Sequence, residues 1–497
     1  MRRNKFSLSH YKLLTMNMGE LIPIMCMECL PGDTLRQQTS VLVRALPLLA
    51  PLMHPVMVRI HTFDVPVRLI WDDWESFITG GELGTDASTH PTISITNPAV
   101  GSLADYFGIP VGTYTKAFSA LPFRAYAMIY NEFYRDTQLV TALTIDTTDG
   151  ADSTTNTSIQ KVSWEKDMFT TARPNEQLGS DITIPLGTTA PVTGIAKINQ
   201  TFSQSSIGGY EADGSTPTYT SASYIDASGG NESYAVEENS GKPNIFADLS
   251  QATGLSVTAL REYFALQRYA EDLNTAGGRY VEYLQHQWGV RQAARLQEPI
   301  YIAGGKKVLQ FSEVIAKGGA DAGSNSSVGA LRGHGIGALR TRRSRNFCQE
   351  HSIRMTLMSM VPKAIYADGI NRMWLRTEKE DYFTKQLELI GDRAITNEEV
   401  YAEDSGPTDT FGYQHRYDSY RTGNNMNCIA GEFNTTLNYW HYARMFSADP
   451  ALNQTFIECN PTKRQYADNT NDSFYVLANH SIQARRQLAK FPKRRII

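Results

Sequence analysis

The sequence is short of the features that mark enzymes, disulfide-built domains and membrane proteins. Five cysteines among 497 residues are few and odd in number, which argues against a disulfide framework. No apolar run reaches the ~18–20 residues of a membrane span. The most apolar stretch, residues 45–53, is short and contains Pro47 and Pro51. The N-terminus is basic, but residues 16–27 are interrupted by Asn17, Glu20 and Pro23, so no secretory leader is legible. Synthesis in a reducing cytosol fits these absences. HExxH, GxSxG and GxxxxGKS/T motifs are all missing. Gly304-Gly305-Lys306-Lys307 and Gly241-Lys242 lack the hydroxyl residue that would hold magnesium. No internal repeat of 20–50 residues is present, which excludes solenoids and propellers.

Charge of one sign is also locally absent. Residues 1–19 hold Arg2, Arg3, Lys5 and Lys12 and no acid. After Asp472 there is again no acid, while the tail carries Arg485, Arg486, Lys490, Lys493, Arg494 and Arg495. Residues 198–241 are the reverse: Glu211, Asp213, Asp226, Glu232, Glu237 and Glu238 stand there without a Lys or Arg. Two basic ends and an acidic middle point to different surroundings for those parts. Clustered cations release counterions from phosphates and so bind nucleic acid without regard to sequence. Aromatic and Arg side chains can stack on unpaired bases, and Phe491 lies inside the C-terminal cluster. The plain alternative is a solvated tail.

What is present reads mainly as strand. Val56, Val58 and Ile60 alternate with Met57, Arg59 and His61, the period of a pleated surface. Pro66 ends or kinks that strand, which suits an edge or bulge, with residues 67–71 as its continuation. Residues 182–186, 354–361 and 473–479 are further strand candidates. Helical spacing joins Phe123, Tyr126, Tyr130 and Phe133. It also joins Ala259, Tyr263, Leu266, Ala270 and Leu273, a core-facing stripe stopped by Asn274 and Gly277-Gly278. A second helix is expected to follow, with Val281, Leu284 and Trp288 inside. Residues 146–158, 203–244 and 317–337 read as long loops rich in Ser, Thr and Gly. With 41% apolar residues the chain can build a sizeable core, and its length suggests several domains or one with large insertions. An elaborated β-sandwich is the expected architecture.

Candidate chemistry is thin. Cys26 and Cys29 form a lone CxxC. Zinc would want a second pair, and Cys348, Cys428 and Cys459 are isolated in sequence. A thioredoxin-like motif would want a βαβ setting. Ordinary reduced thiols are the expected reading. His334, between Gly333 and Gly335, is expected in a loop or interface. Asp72 and Asp73 could hold a cation or do acid/base work. Their place before residues 74–78 fits capping of a short helix better.

Several blocks together resemble a known family. "HTFDVPVRLIWDDWESFITGG" (61–81), "LPFRAYAMIYNEFYRD" (121–136) and residues 253–290 are similar to blocks of the microvirus major capsid protein, gokushovirus-type branch. So are "GHGIGALRTRR" (333–343), "LMSMVPKAIYADGINRMW" (357–374) and "FGYQHRYDSYRTGNNMNCIAGEF" (411–433), all in family order. The resemblance runs from about residue 40 to the C-terminus and is weakest over 140–245. It implies a mainly β fold: an eight-stranded antiparallel jelly roll of viral capsid type, with long inserted loops and a few helices. It implies sixty copies in a T=1 icosahedral shell around a circular single-stranded DNA genome, assembled in the cytoplasm of a bacterial host. Scaffolding, DNA-pilot or small DNA-binding viral proteins are possible partners, and no catalysis, cofactor or membrane insertion belongs to it.

On that basis residues 1–40 are a basic arm and lead-in, and 41–145 the first part of the core. Residues 146–250 are a variable insertion, 251–480 a helical insertion and the rest of the core, and 481–497 a basic tail. Arg2, Arg3, Lys5, Arg485, Arg486, Lys490, Lys493, Arg494 and Arg495 are expected to face DNA. Tyr210, Glu211, Asp213, Tyr219, Tyr224, Asp226 and Tyr234 are expected on a surface protrusion that meets a host receptor. Trp71, Trp74 and Phe77 are expected at a subunit contact, where aromatics give large area with a polar handle. Two other readings are a carbohydrate-binding or adhesin β-sandwich and a hydrolase built on Asp72 and Asp73.

Overall fold

The computed structural model describes residues 3–81, 85–179, 257–276, 298–315, 331–423 and 428–490, with short strand segments between 192 and 247 and helical residues at 282 and 285–286. Eleven strands build its centre: β1 (Asn4–Ser7), β2 (His10–Met16), β3 (Ile22–Cys29), β4 (Thr34–Ala45), β5 (Val56–Pro66), β6 (Ile300–Val308), β7 (Gln310–Ile315), β8 (Leu331–Arg340), β9 (Ser344–Phe347), β10 (Ser352–Pro362) and β11 (Phe474–Arg486). In the first sheet β11 pairs with β1 and β2 on one side and β4 on the other; β4 pairs with β9 and β8, and β8 with β7. The second sheet runs β6-β5-β10-β3. Every one of these ladders is antiparallel. Taking the long strands alone, the orders are 2-11-4-8 and 3-10-5-6. Strands 2, 3, 4 and 5 thus alternate between the sheets, which is jelly-roll winding.

Alternation decides which face of each strand is wet. In β11, Phe474, Val476, Ala478, Ile482 and Ala484 are buried, while Tyr475, Leu477, Gln483 and Arg485 are exposed. β4 does the same with Leu35, Val41 and Val43 inside and Arg36, Leu42 and Arg44 outside. Of these inner side chains, Val41, Val43, Phe474, Val476 and Ala478 meet Ile22, Ile24, Val56, Val58, Ile60, Met358 and Met360 of the second sheet in one core. β10 is different: all eleven of its residues are buried. Met358 and Met360 enter the inter-sheet core, while Ile353, Met355, Leu357 and Val361 enter a second core on the sheet's other side. That second core includes helix α2 (Leu121–Phe133), whose Phe123, Tyr126 and Tyr130 form the expected apolar stripe. The Tyr126 hydroxyl donates to Leu21 O at 2.8 Å, so the buried phenol is satisfied. Phe133, at the end of the stripe, is partly exposed.

Three strand expectations hold: residues 56–66, 354–361 and 474–479 are strand. Pro66 ends β5, but β5 lies between β6 and β10 and is no edge. Residues 67–71 do not continue it; Val67–Leu69 is a turn of 3₁₀ helix. The stretch 317–337 is not all loop, because β8 starts at Leu331. Its glycines alternate for a steric reason. A Cβ on Gly335 would lie 2.7 Å from the Phe311 ring and 2.9 Å from Ala45, and one on Gly333 would lie 2.5 Å from Ala50 O. His334 therefore stands on a strand, paired with Ser312. Residues 182–186 and the expected inner face of the helix after Gly278 lie outside the described residues.

The chain divides into two compact units, Met1–Glu176 with Asn274–Ile497, and Gln177–Leu273. Residues 146–176 thus belong with the core, and the insertion reaches past 250 to take in most of helix α3 (Val257–Ala276). The expected helix is there, but its stripe is not core: Ala259, Tyr263 and Ala270 are half-buried and Leu266 is 46% exposed. Nor is the stretch 203–244 without structure; Ser223–Ile225 and Tyr234–Val236 pair antiparallel.

Buried polar groups give two predictions about stability. The buried Arg354 guanidinium donates through Nε to the buried Asp64 Oδ1 at 2.6 Å, and the half-buried Asn346 donates to Oδ2 at 2.8 Å. Arg354→Met leaves a buried carboxylate without its cation and is expected to lower unfolding free energy by about 3–5 kcal/mol. Chemical denaturation of the unassembled chain measures it, and Arg354→Met with Asp64→Asn should recover part of the loss. His54 and His480 are buried, and burial pushes both imidazoles down to about 4. Unfolded, each titrates near 6.5. Between those values the unfolded chain binds more protons, so this contribution is complete above about pH 6.5 and is lost as the pH falls toward 4. The denaturation midpoint should drop over that window, and less steeply in His480→Gln.

Candidate nucleic-acid interface

Both chain ends enter the first sheet, and the ladder places their cations side by side. Lys5 of β1 is opposite Arg485 of β11, and Ser7 is opposite Gln483. On the other side of β11, Arg485 is opposite Thr34 and Gln483 is opposite Arg36 of β4. Beyond β4, Phe347 of β9 is opposite Thr34 and Arg345 is opposite Arg36. Two rows therefore cross four strands on the sheet's outer face: Lys5–Arg485–Thr34–Phe347 and Ser7–Gln483–Arg36–Arg345. Period-2 geometry puts alternate residues on one face, so all eight side chains share it. Lys5, Arg36, Arg345 and Arg485 are exposed and, with Thr34 and Gln483, line one cleft. Arg3 extends the array: its Nη1 donates to Thr34 Oγ1 at 3.3 Å, and its guanidinium lies 5.1 Å from the Phe347 ring centre.

The expected cations do not all serve this face. Arg486 alternates to the opposite side and pairs through Nε with the buried Asp33 carboxylate at 2.8 Å. It is a structural ion pair, which corrects its assignment to DNA. Lys12 is also turned in, donating to Pro23 O at 2.9 Å and to Tyr106 O, and burial pushes its amine down to about 8. Lys490 is exposed in the tail. Arg2, Lys493, Arg494 and Arg495 lie outside the described residues. Arg36 and Arg345 escaped the sequence reading because each lies alone, far from the termini, and only strand pairing brings them there.

The tryptophan segment divides in two. Trp71 is fully buried against Trp74, Phe77 and His90, with ring centres 5.6, 4.7 and 5.4 Å away. It is core of its own subunit, so its assignment to a subunit contact is corrected. Helix α1 (Trp74–Thr79) carries half-buried Trp74, with Phe77 37% and Ile78 51% exposed. Asp73 is the N-cap residue but its side chain makes no capping bond, and Asp72 instead accepts from Thr147 Oγ1 at 2.7 Å. The expected capping is thus absent, and among the described residues neither exposed acid belongs to a cluster that could hold a metal ion. Of the protrusion residues, Tyr224 and Tyr234 fall on the paired strands Ser223–Ile225 and Tyr234–Val236. Tyr210, Glu211, Asp213, Tyr219 and Asp226 lie outside the described residues.

Cys26 and Cys29 diverge, as residues three apart on a strand must. Cys26 packs against the core beneath α2, whereas Cys29 lies in a small cluster with Cys348, Leu35 and Ala484. Cys348, isolated in sequence, is thus a spatial neighbour of Cys29. No disulfide joins any of the five cysteines, and among the described residues no group of three His, Cys, Asp or Glu side chains could hold a metal ion. No described helix is long and apolar enough to cross a membrane.

Comparison with known proteins identifies the family. The family model described as "Capsid protein (F protein)" matches residues 1–491. The capsid protein VP1 of Bdellovibrio phage phiMH2K is 31% identical over 493 residues, covering 92% of this chain and 88% of that protein. VP1 of Chlamydia phage 1 is 29% identical, covering 92% and 89%, and VP1 of Spiroplasma virus 4 is 28% identical, covering 92% and 87%. A jelly roll matched by the family model over residues 1–491 and by phage capsid proteins over 92% of its length is a major capsid protein: the chain belongs to the capsid protein (F protein) family, which is a structural one.

Proposed function

We propose that sixty copies of this chain close into a T=1 icosahedral shell around a circular single-stranded DNA genome, with the outer face of the first sheet turned toward the DNA. One observation carries the orientation: β1 and β11 bring Arg3, Lys5 and Arg485 together on a sheet face. Packaged DNA is a concentrated polyanion, and a basic face belongs beside it. Arg2, Lys490, Lys493, Arg494 and Arg495 belong to the same two terminal stretches and act with them. The acidic residues 198–241, with Tyr210, Glu211, Asp213, Tyr219, Tyr224, Asp226 and Tyr234, belong to a surface protrusion that meets a receptor on the host. Trp74, Phe77 and Ile78 supply apolar area for contact between copies. Assembly takes place in the host bacterial cytoplasm, with scaffolding, DNA-pilot or small DNA-binding viral proteins as helpers.

Expression in bacteria followed by electron microscopy tests the shell. Closed particles whose 260 to 280 nm absorbance ratio reports nucleic acid are expected; small oligomers free of nucleic acid would favour a glycan-binding sandwich. Deleting residues 488–497, which lie beyond β11 and spare its ladder, should lower the packaged DNA while shells still form. Ile78→Glu, at a side chain 51% exposed, should leave the subunit folded and cost about 2 kcal/mol or more per contact between copies. Sedimentation would then show folded subunits replacing shells.

A further inference from the structure

The first sheet's outer face carries more than a diffuse positive field. Arg36 and Arg345 occupy directly opposed positions on β4 and β9, an arrangement that like charges disfavour. Lys5 and Arg485 are opposed in the same way on β1 and β11. All four line one cleft whose described lining contains no carboxylate. The acid adjoining it in sequence, Asp33, is buried and already paired with Arg486. Mutual repulsion is relieved when an anion with several acceptor oxygens enters between the cations, and Arg presents a fork of donors matched to phosphate. Beside the cations, along the row from Arg485 through Thr34, stands Phe347, an aromatic 48% exposed with the Arg3 guanidinium over it.

We propose that this array is a nucleotide site for single-stranded DNA: Lys5, Arg36, Arg345 and Arg485 hold a backbone phosphate, and the neighbouring base stacks on the Arg3–Phe347 pair. The inference rests on the shell reading above for where the DNA comes from, but the site itself is defined by the ladder. Aromatic rings and guanidinium planes both stack on unpaired bases. A duplex keeps its bases in its own stack, so it can use the cations and not the ring. The site thus distinguishes an unpaired strand from a paired one without reading sequence. Phe347 is the element that a purely electrostatic surface would not need.

Full-length unassembled protein, titrated with a fluorescent oligothymidylate, with the corresponding duplex and with inorganic polyphosphate, tests this. Wild-type protein should bind the single strand more tightly than the duplex. Arg36→Gln with Arg345→Gln should weaken all three ligands and reduce the salt slope by about one unit for each phosphate no longer neutralised. Phe347→Ala should weaken the oligothymidylate roughly tenfold, with polyphosphate binding and the salt slope unchanged. Thermal melting confirms that each variant is folded; the double variant should melt no lower than wild type, because a repulsion has been removed. Equal binding of single strand and duplex, an unaffected double variant, or a Phe347→Ala variant whose polyphosphate binding falls equally would each overturn the site. Failure of wild-type protein to form shells would instead sink the shell reading, and these titrations would still decide the site.

Discussion

The structure depends on an inequality between two sheets. β10 in the second sheet is buried on both sides, between the inter-sheet core and the core beneath α2. β4 and β11 in the first sheet are buried on one side only. Apolar burial of this kind is the dominant favourable term in folding. The one-sided sheet can therefore present a second, chemically independent face. The cations of both chain ends gather there because that face is released from core duty.

The released face is organised by the ladder and not by sequence proximity. Lys5 and Arg485 are almost a whole chain apart, and Arg36 and Arg345 are separated by the entire insertion, yet four adjacent strands align them. Strand alternation also sorts the cations: Arg485 points out, while Arg486 points in and neutralises Asp33. Adjacent residues of one basic tail thus do different work, one toward a ligand and one toward the fold.

Much of this was legible in the residues. The period-2 run at 56–61 and the aromatic stripe of α2 correspond to what is observed, and the quoted blocks identified the family. The misses have physical causes. Gly333, Gly335 and Gly337 read as loop because glycine usually breaks strands, whereas here close packing demands the missing Cβ. Trp71 read as interface because aromatics suit both interfaces and cores, and only burial separates them. The Asp73 cap failed because a helix start constrains backbone first, and the side chain need not bond. The stripe of α3 showed periodicity correctly, but periodicity names a face and not what covers it.

The position of β11 has a consequence for biosynthesis. It lies between β2 and β4 in the first sheet, yet every strand of the second sheet precedes it in the chain. Until residues 474–486 emerge, β1, β2 and β4 have no shared neighbour, and the first sheet stays open between them. Closure of the sandwich therefore waits on pairings between distant parts of the chain, an event of high contact order and slow by that measure. A prematurely terminated polypeptide lacks the strand that joins its own halves, so only finished copies can present a closed sandwich to a growing particle.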